Sequence, residues 1–259
     1  MRVYFLGTGA PLSPTRATLG LYVEAPGCNP VLLDTCGGFE LIRQLNRLSL
    51  NPHNVRDVII THQHGDHIGG VMPLRIAQPE LRLYGSLDSL TAAEDLFKIT
   101  YPILASNAPN SMSTVPVEAN RIYPIAGFEV EFYEVVHRVP TFALRVRFGD
   151  YILAYSSDSV VCDGLLACAQ EADLFICDAL CAVADGPEVV ERAHNLMHPT
   201  AKEAAELAQA AGAKALALVH LARYASPIEM LSEAQTVFRG PVWIPDDLTH
   251  YNFRESIHS

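Results

Sequence analysis

"THQHGDH", residues 61–67, sets three histidines and an aspartate directly behind the apolar run Val58, Ile59 and Ile60. A short apolar run followed by polar residues reads as a buried strand. Imidazoles and a carboxylate crowded at the end of such a strand are costly to bury without partners, so the cluster points to metal binding. On an extended strand end, residues two apart project to the same side. His62 and His64 can therefore address one ion, while Asp66 and His67, past a turn at Gly65, can address a second nearby.

Four ligands do not complete two sites, and the other candidates are ranked by their place in the chain. His137 follows a strand predicted over Phe128–Val136, Asp158 follows one over Tyr151–Tyr155, and His220 ends one over Ala215–Val219. In layered α/β folds the loops at strand ends are where sites are assembled, which favours all three as ligands. Asp158 has two oxygens and can bridge both ions. His53 in a turn, His258 near the terminus and His194 without a preceding strand read as solvated; His250 fits either reading.

Around these residues, strands alternate with helices and no low-complexity linker intervenes. Strands are predicted at Val3–Leu6, Leu21–Glu24, Val31–Asp34, Asp57–Ile60 and Leu81–Tyr84, with helices at Phe39–Leu48 and Leu87–Ile99. The later part adds strands at Phe142–Phe148, Leu174–Cys177 and Val242–Ile244 and helices at Val160–Gln170, Ala201–Ala211 and Pro227–Phe238. Thr200 with Glu203 three residues later is a capping box that fixes the start of the Ala201 helix. Pro102–Pro116 reads as a loop, a place for a lid or an interface. Two halves of similar grammar, about 1–125 and 126–259, suggest one α/β domain, a four-layered αββα sandwich with two sheets face to face and helices outside.

Composition narrows the partners. The 18 Lys and Arg against 29 Asp and Glu leave a net charge of −11, which repels long polyanions such as extended nucleic acid. The apolar start Val3–Leu6 is too short for a signal-peptide core, and no apolar run reaches the roughly 18 residues of a membrane span. Six cysteines without a CxxC spacing read as reduced, mostly buried thiols. A soluble, cytoplasmic protein is expected.

The motifs taken together resemble the metallo-β-lactamase-fold hydrolases, and among them the ribonuclease Z and related phosphodiesterase branch, nearly end to end. "FLGTGAPLSPTRA" (5–17) is similar to that branch's opening hairpin, "LLDTCGG" (32–38) to its first motif, and "THQHGDH" to its second. His137, Asp158 and His220 stand at its third to fifth motifs, and "LVHLARY" (218–224), with Arg223 and Tyr224, resembles its final strand and loop. The resemblance implies one ion on His62, His64 and His137, another on Asp66, His67 and His220, and Asp158 on both. It implies a supporting role for Asp34, orienting the cluster from behind. Iron oxidoreductases of this fold usually carry Glu where His64 stands, so redox chemistry is not expected. Zinc is the first expectation for two divalent ions, with Mn²⁺ or Fe²⁺ open, because N/O ligands discriminate weakly among them.

The bond cleaved is the open question, since a water activated between paired metals serves phosphodiesters and carboxylic esters or lactones alike. "HPTAKEAAELA" (198–208) resembles a loop that, in the ribonuclease Z branch, places a histidine against the scissile phosphate, and His198 precedes His220 by 22 residues as in that branch. Asp66 and His198 are thus the catalytic candidates. The branch's "HEAT" segment corresponds to "CDAL", where Asp178 survives and the histidine is lost. Between His137 and Asp158 lie too few residues for the basic arm that many ribonuclease Z enzymes insert. A small or cyclic phosphodiester is therefore expected, with a lactone, ester, thioester or amide as the alternative and RNA processing behind both. A homodimer is a common outcome in this branch.

Overall fold

A computed structural model describes residues 1–78, 80–107 and 112–253. Fourteen strands follow in chain order: β1 (Arg2–Gly7), β2 (Gly20–Glu24), β3 (Val31–Leu33), β4 (Asp57–Ile59), β5 (Leu81–Gly85), β6 (Met112–Pro116), β7 (Ile122–Ile125), β8 (Phe128–Val135), β9 (Thr141–Phe148), β10 (Tyr151–Tyr155), β11 (Leu174–Asp178), β12 (Leu216–Val219), β13 (Val242–Trp243) and β14 (His250–Asn252). They form two mixed seven-stranded sheets, ordered β14-β1-β2-β3-β4-β5-β6 and β13-β12-β11-β10-β9-β8-β7. The helices are α1 (Glu40–Arg47), α2 (Gly65–Ile68), α3 (Val71–Ala77), α4 (Leu87–Thr100), α5 (Pro102–Asn107), α6 (Asp163–Ala169), α7 (Pro187–Asn195), α8 (Ala201–Ala210) and α9 (Pro227–Val237).

Side-chain alternation along the strands builds the layers. In β1, Val3 and Phe5 face the opposite sheet, while Tyr4 and Leu6 turn outward toward the helices. In β8, Val130 and Phe132 face inward against the same core, with Glu129 and Glu131 on the other side. The inner core thus joins Val3, Phe5 and Leu33 of one sheet to Phe132, Tyr155 and Ile176 of the other. One outer core takes Leu41, Leu74 and Leu90 from α1, α3 and α4; the other takes Leu165, Ala205 and Met230 from α6, α8 and α9. The result is the αββα sandwich. Helix α8 buries Ala201, Ala204, Ala205 and Ala208 on its sheet, where small side chains permit close approach. Its capping box is formed in both directions: Glu203 N–H donates to Thr200 Oγ1 at 3.3 Å, and Thr200 N–H to Glu203 Oε2 at 2.7 Å.

Two features depart from the sequence reading. Residues 102–116 are not a loop: Pro102 opens α5, and 112–116 pair in parallel with β5 from Leu81↔Met112 to Gly85↔Pro116; residues 108–111 lie outside those described. Proline is tolerated at a helix start and on an edge strand, so its presence here does not mark a loop. Sheet membership also crosses residue 125 in both directions, since β7 belongs to the second sheet and β14 returns to pair antiparallel with β1. Among the described residues, no helix is long and apolar enough to cross a membrane.

Candidate metal centre

Strands β3, β4 and β5 run parallel, as do β10, β11 and β12, and the loops that follow β3, β4, β10, β11 and β12 meet at one edge of the sandwich. Asp34 follows β3, His62 and His64 follow β4, Asp158 follows β10, Asp178 ends β11, and His220 follows β12. His137, just beyond β8, joins them. His64 is the extended N-terminal cap of α2, so the expected turn at Gly65 is a helical one that carries Asp66 and His67. Gly70 lets this turn sit on the loop after Asp34; a Cβ there would lie 1.9 Å from the Thr35 carbonyl oxygen.

All seven expected ligands converge. His62 Nε2 lies 3.0 Å from His64 Nδ1, and His137 Nε2 3.3 Å from the same atom. Asp158 Oδ2 stands 3.6 Å from His62 Nε2 and 3.8 Å from His137 Nε2. On the other side, His67 Nε2 is 3.4 Å from both Asp66 Oδ2 and Asp158 Oδ1, and His220 Nε2 is 3.5 Å from Asp66 Oδ2 and 3.6 Å from Asp158 Oδ2. Ligands at about 2.0–2.1 Å from one tetrahedral ion stand about 3.3–3.4 Å apart, close to these separations. Asp158 belongs to both groups.

The atoms turned away from the two foci are held by the fold. Asp34 Oδ2 accepts from His67 Nδ1 and from the Tyr155 hydroxyl, each at 2.8 Å, while Asp34 Oδ1 accepts from Thr61 N–H at 2.9 Å. The Thr61 and Ser157 hydroxyls flank His62 Nδ1 at 3.1 and 3.3 Å. His137 Nδ1 faces the Met197 carbonyl at 3.4 Å. Each ring is thereby turned with its other nitrogen toward a focus. Asp34, Ser157 and His220 adopt left-handed backbone, φ 57°, 55° and 63°, the kind of strain that packed functional sites retain.

The donor set fits cations. Burial opposes charge on His220, yet the nearby carboxylates of Asp158, Asp178 and Asp66 raise its pKa to about 10. Burial likewise opposes charge on His67, which Asp158, Asp66 and Asp34 raise well above the ordinary value. The buried carboxylates thus call for positive charge. At the other focus, burial pushes His137 down to about 4, helped by the neighbouring histidines, so its ring is neutral and ready to ligate. Among the described residues, buried His67 Nε2 and Asp158 Oδ1 have no hydrogen-bond partner, a cost of about 1–3 kcal/mol per group that a cation would remove.

A family model described as a beta-lactamase superfamily domain matches residues 29–221, a span that holds every one of these side chains. The chain belongs to the beta-lactamase superfamily. A ribonuclease Z from Metallosphaera sedula is 29% identical, the match covering 98% of this chain and 99% of that protein. That match runs over 300 positions against 259 residues here, so the relative carries segments that this superfamily member lacks. The crystal structure of YhfI, a metallo-beta-lactamase fold protein from Bacillus subtilis, superposes with TM-score 0.81 at 25% identity, covering 96% of this chain and 98% of the other. Human tRNase Z, short form, does so with TM-score 0.73 at 25% identity over 97% and 99%. The protein is a metal-dependent hydrolase of the beta-lactamase superfamily with an intact His/Asp metal site.

A cleft of about 510 Å³ opens onto the cluster of this superfamily member, walled by the loop Ala10–Leu12, by α7 and by Ala222–Tyr224. His198 lines it, its ring stacked on His220 with centroids 4.9 Å apart. Its Nδ1 donates to Asp178 Oδ2 at 2.7 Å, and Asp178 Oδ1 lies 3.4 Å from His220 Nδ1. Asp178 was not among the expected site residues, although its place at the end of β11 is the signal that singled out Asp158 and His220. His53, His194 and His250 are exposed and join none of the metal-competent groups, and His258 lies outside the described residues.

Proposed function

We propose that the seven side chains hold two divalent ions of the zinc class, one on His62, His64 and His137 and one on Asp66, His67 and His220, with Asp158 shared, and that the enzyme hydrolyses a small or cyclic phosphodiester. The observation that carries the substrate class is the His198–Asp178 pair on the cleft wall beside the ligands. Bound there, the ions supply Lewis acidity toward water and the phosphoryl oxygens.

The chain's own residues move the protons. Asp66 lines the cleft and, despite burial, its carboxyl is held well below the usual range by His67 and His220, so it is ionised: it orients the attacking water by accepting its hydrogen bond and, being a weak base, passes the proton that water loses on to solvent as the oxygen bonds to phosphorus. His198, with Nδ1 held by Asp178, presents Nε2 to the cleft. As the P–O bond to the leaving group breaks, that oxygen takes its proton from His198 Nε2. Folded RNA is a poorer substrate in this reading. The interval from His137 to Asp158 is filled by the β9–β10 hairpin with a two-residue turn at Gly149–Asp150, which carries no arm. A cytoplasmic setting accords with six free cysteines.

The test is turnover of a chromogenic phosphodiester against a panel of lactones and carboxylic esters by purified protein with a measured metal content. Preference for phosphodiesters is expected; turnover confined to lactones or esters would replace this reading.

A further inference from the structure

The cleft carries charge that the proposed reaction does not use. Arg138, Arg192 and Arg223 all line it and are exposed, while among the described residues its only acidic lining residues are Asp66 and Asp158 of the cluster itself. Among the described residues, the carboxylates within 4.0 Å of an arginine or lysine serve other cations, and none reaches these three. In a chain of net charge −11, three unneutralised guanidinium groups around one opening run against the composition. Two of them are also oriented. Arg138 Nη2 donates to the Asn195 carbonyl at the end of α7, and the Arg192 guanidinium lies over the Tyr224 ring, 5.7 Å from its centroid.

Building on the phosphodiesterase reading, we infer that this rim is a second anion subsite, and that the preferred substrate carries a further phosphate or carboxylate on the group beyond the scissile phosphodiester. Guanidinium forks match the planar or tripodal oxygens of such groups, and arginine stays charged at every working pH. Pro11, Leu12 and Leu196 line the same cleft and suit an apolar or planar spacer between the two anions. Arg138 and Arg192 act here as specificity residues and take no part in bond breaking.

The experiment uses p-nitrophenyl phosphodiesters whose second ester group is an alkyl chain of two to six carbons, ending either in methyl or in phosphate or carboxylate. At least one charged member should exceed its uncharged counterpart in kcat/KM by tenfold or more, through KM, and the advantage should shrink with added salt. In Arg138→Gln/Arg192→Gln protein with parental metal content and melting temperature, the ratio of charged to uncharged should fall toward one. The phosphate and carboxylate arms show which anion the rim prefers. Equal KM for charged and uncharged chains throughout, or a ratio that survives the double substitution, overturns the subsite. If all phosphodiesters are inert but p-nitrophenyl carboxylic esters are cut, the proposed function fails by itself, and the glutarate half-ester against the valerate ester puts the same question to the rim.

Discussion

Asp178 accepts from His198 through one oxygen at 2.7 Å and faces His220 through the other at 3.4 Å, tying a cleft-wall histidine to a metal-cluster histidine through one buried carboxylate. That carboxylate accepts the Nδ1 proton and holds the ring with Nε2 toward the cleft, where the doubly protonated ring is the form that can give a proton from Nε2. His198 cannot turn without breaking this bond and unstacking from His220.

Replacing His198 by Ala should lower phosphodiester kcat by about 10²–10⁴-fold, the usual worth of a positioned proton donor, while two ions stay bound. Asp178→Asn should lower kcat less, because the amide can still hold His198 Nδ1 but without the charge of the carboxylate. Steady-state kinetics with metal analysis on each variant checks this. His198→Ala protein within threefold of the parent, or inactive only through metal loss, would falsify the donor role.

Asp158 is within 4 Å of ligand atoms of both groups. Asp158→Ala should therefore release at least one ion and nearly all activity. Asp34→Asn, which among the expected ligands meets only the far side of His67, should keep both sites but weaken affinity by about 10–100-fold, as loss of an orienting partner typically does. Metal content after graded chelation separates the two.

The histidine cluster was legible because its spacing is local: His62, His64, Asp66 and His67 lie within six residues, and the strand before them is a buried apolar run. His137, Asp158 and His220 were legible through a rule of position, since each ends a strand with a clear pattern. Asp178 obeys the same rule, yet only the fold shows that its two oxygens reach His198 and His220. The strands without a legible sequence pattern, β6, β7 and β14, are all edge strands, short and carrying Pro116, Pro124 or mostly polar residues, so tertiary pairing and not local pattern defines them. Helix α7 has no legible pattern either, because only Ala193 is buried on it; the arginine rim it builds with Arg138 and Arg223 depends on contacts distant in sequence.

The α8 capping box makes stability pH-dependent. Burial raises the Glu203 pKa, but hydrogen bonds from Thr200 and His194 outweigh this and leave it depressed. A depressed carboxyl contributes stability above its unfolded pKa of about 4.3, and that contribution is lost as pH falls through the lower folded value. Glu203→Gln in chelated protein should melt lower than the parent by about 1–3 °C at pH 7, given about 1 kcal/mol or less for a half-exposed cap. The gap should close below pH 4. A constant gap from pH 7 to pH 3 in thermal melts would assign the loss to something other than charge.

Transfer-RNA processing provides the sharpest contrast with the relatives named ribonuclease Z. Binding a folded RNA takes several phosphate contacts and a positive field extending beyond the catalytic cleft. Here the His137–Asp158 interval is a tight hairpin in the second sheet, where Arg145 is spent on the carbonyls of Cys168 and Gln170 at 2.9 and 2.6 Å, and Arg147 pairs with Glu129 at 4.0 Å. The three rim arginines suit one compact anion and are too few to hold a tRNA-sized polyanion against a net charge of −11. Metal-loaded protein should thus cleave a small chromogenic phosphodiester at least 10³-fold more efficiently than a precursor transfer RNA, compared by kcat/KM at 150 mM salt. Efficient, salt-sensitive removal of a 3′ trailer would show that an RNA-holding surface exists elsewhere on the chain and would return RNA to the head of the substrate list.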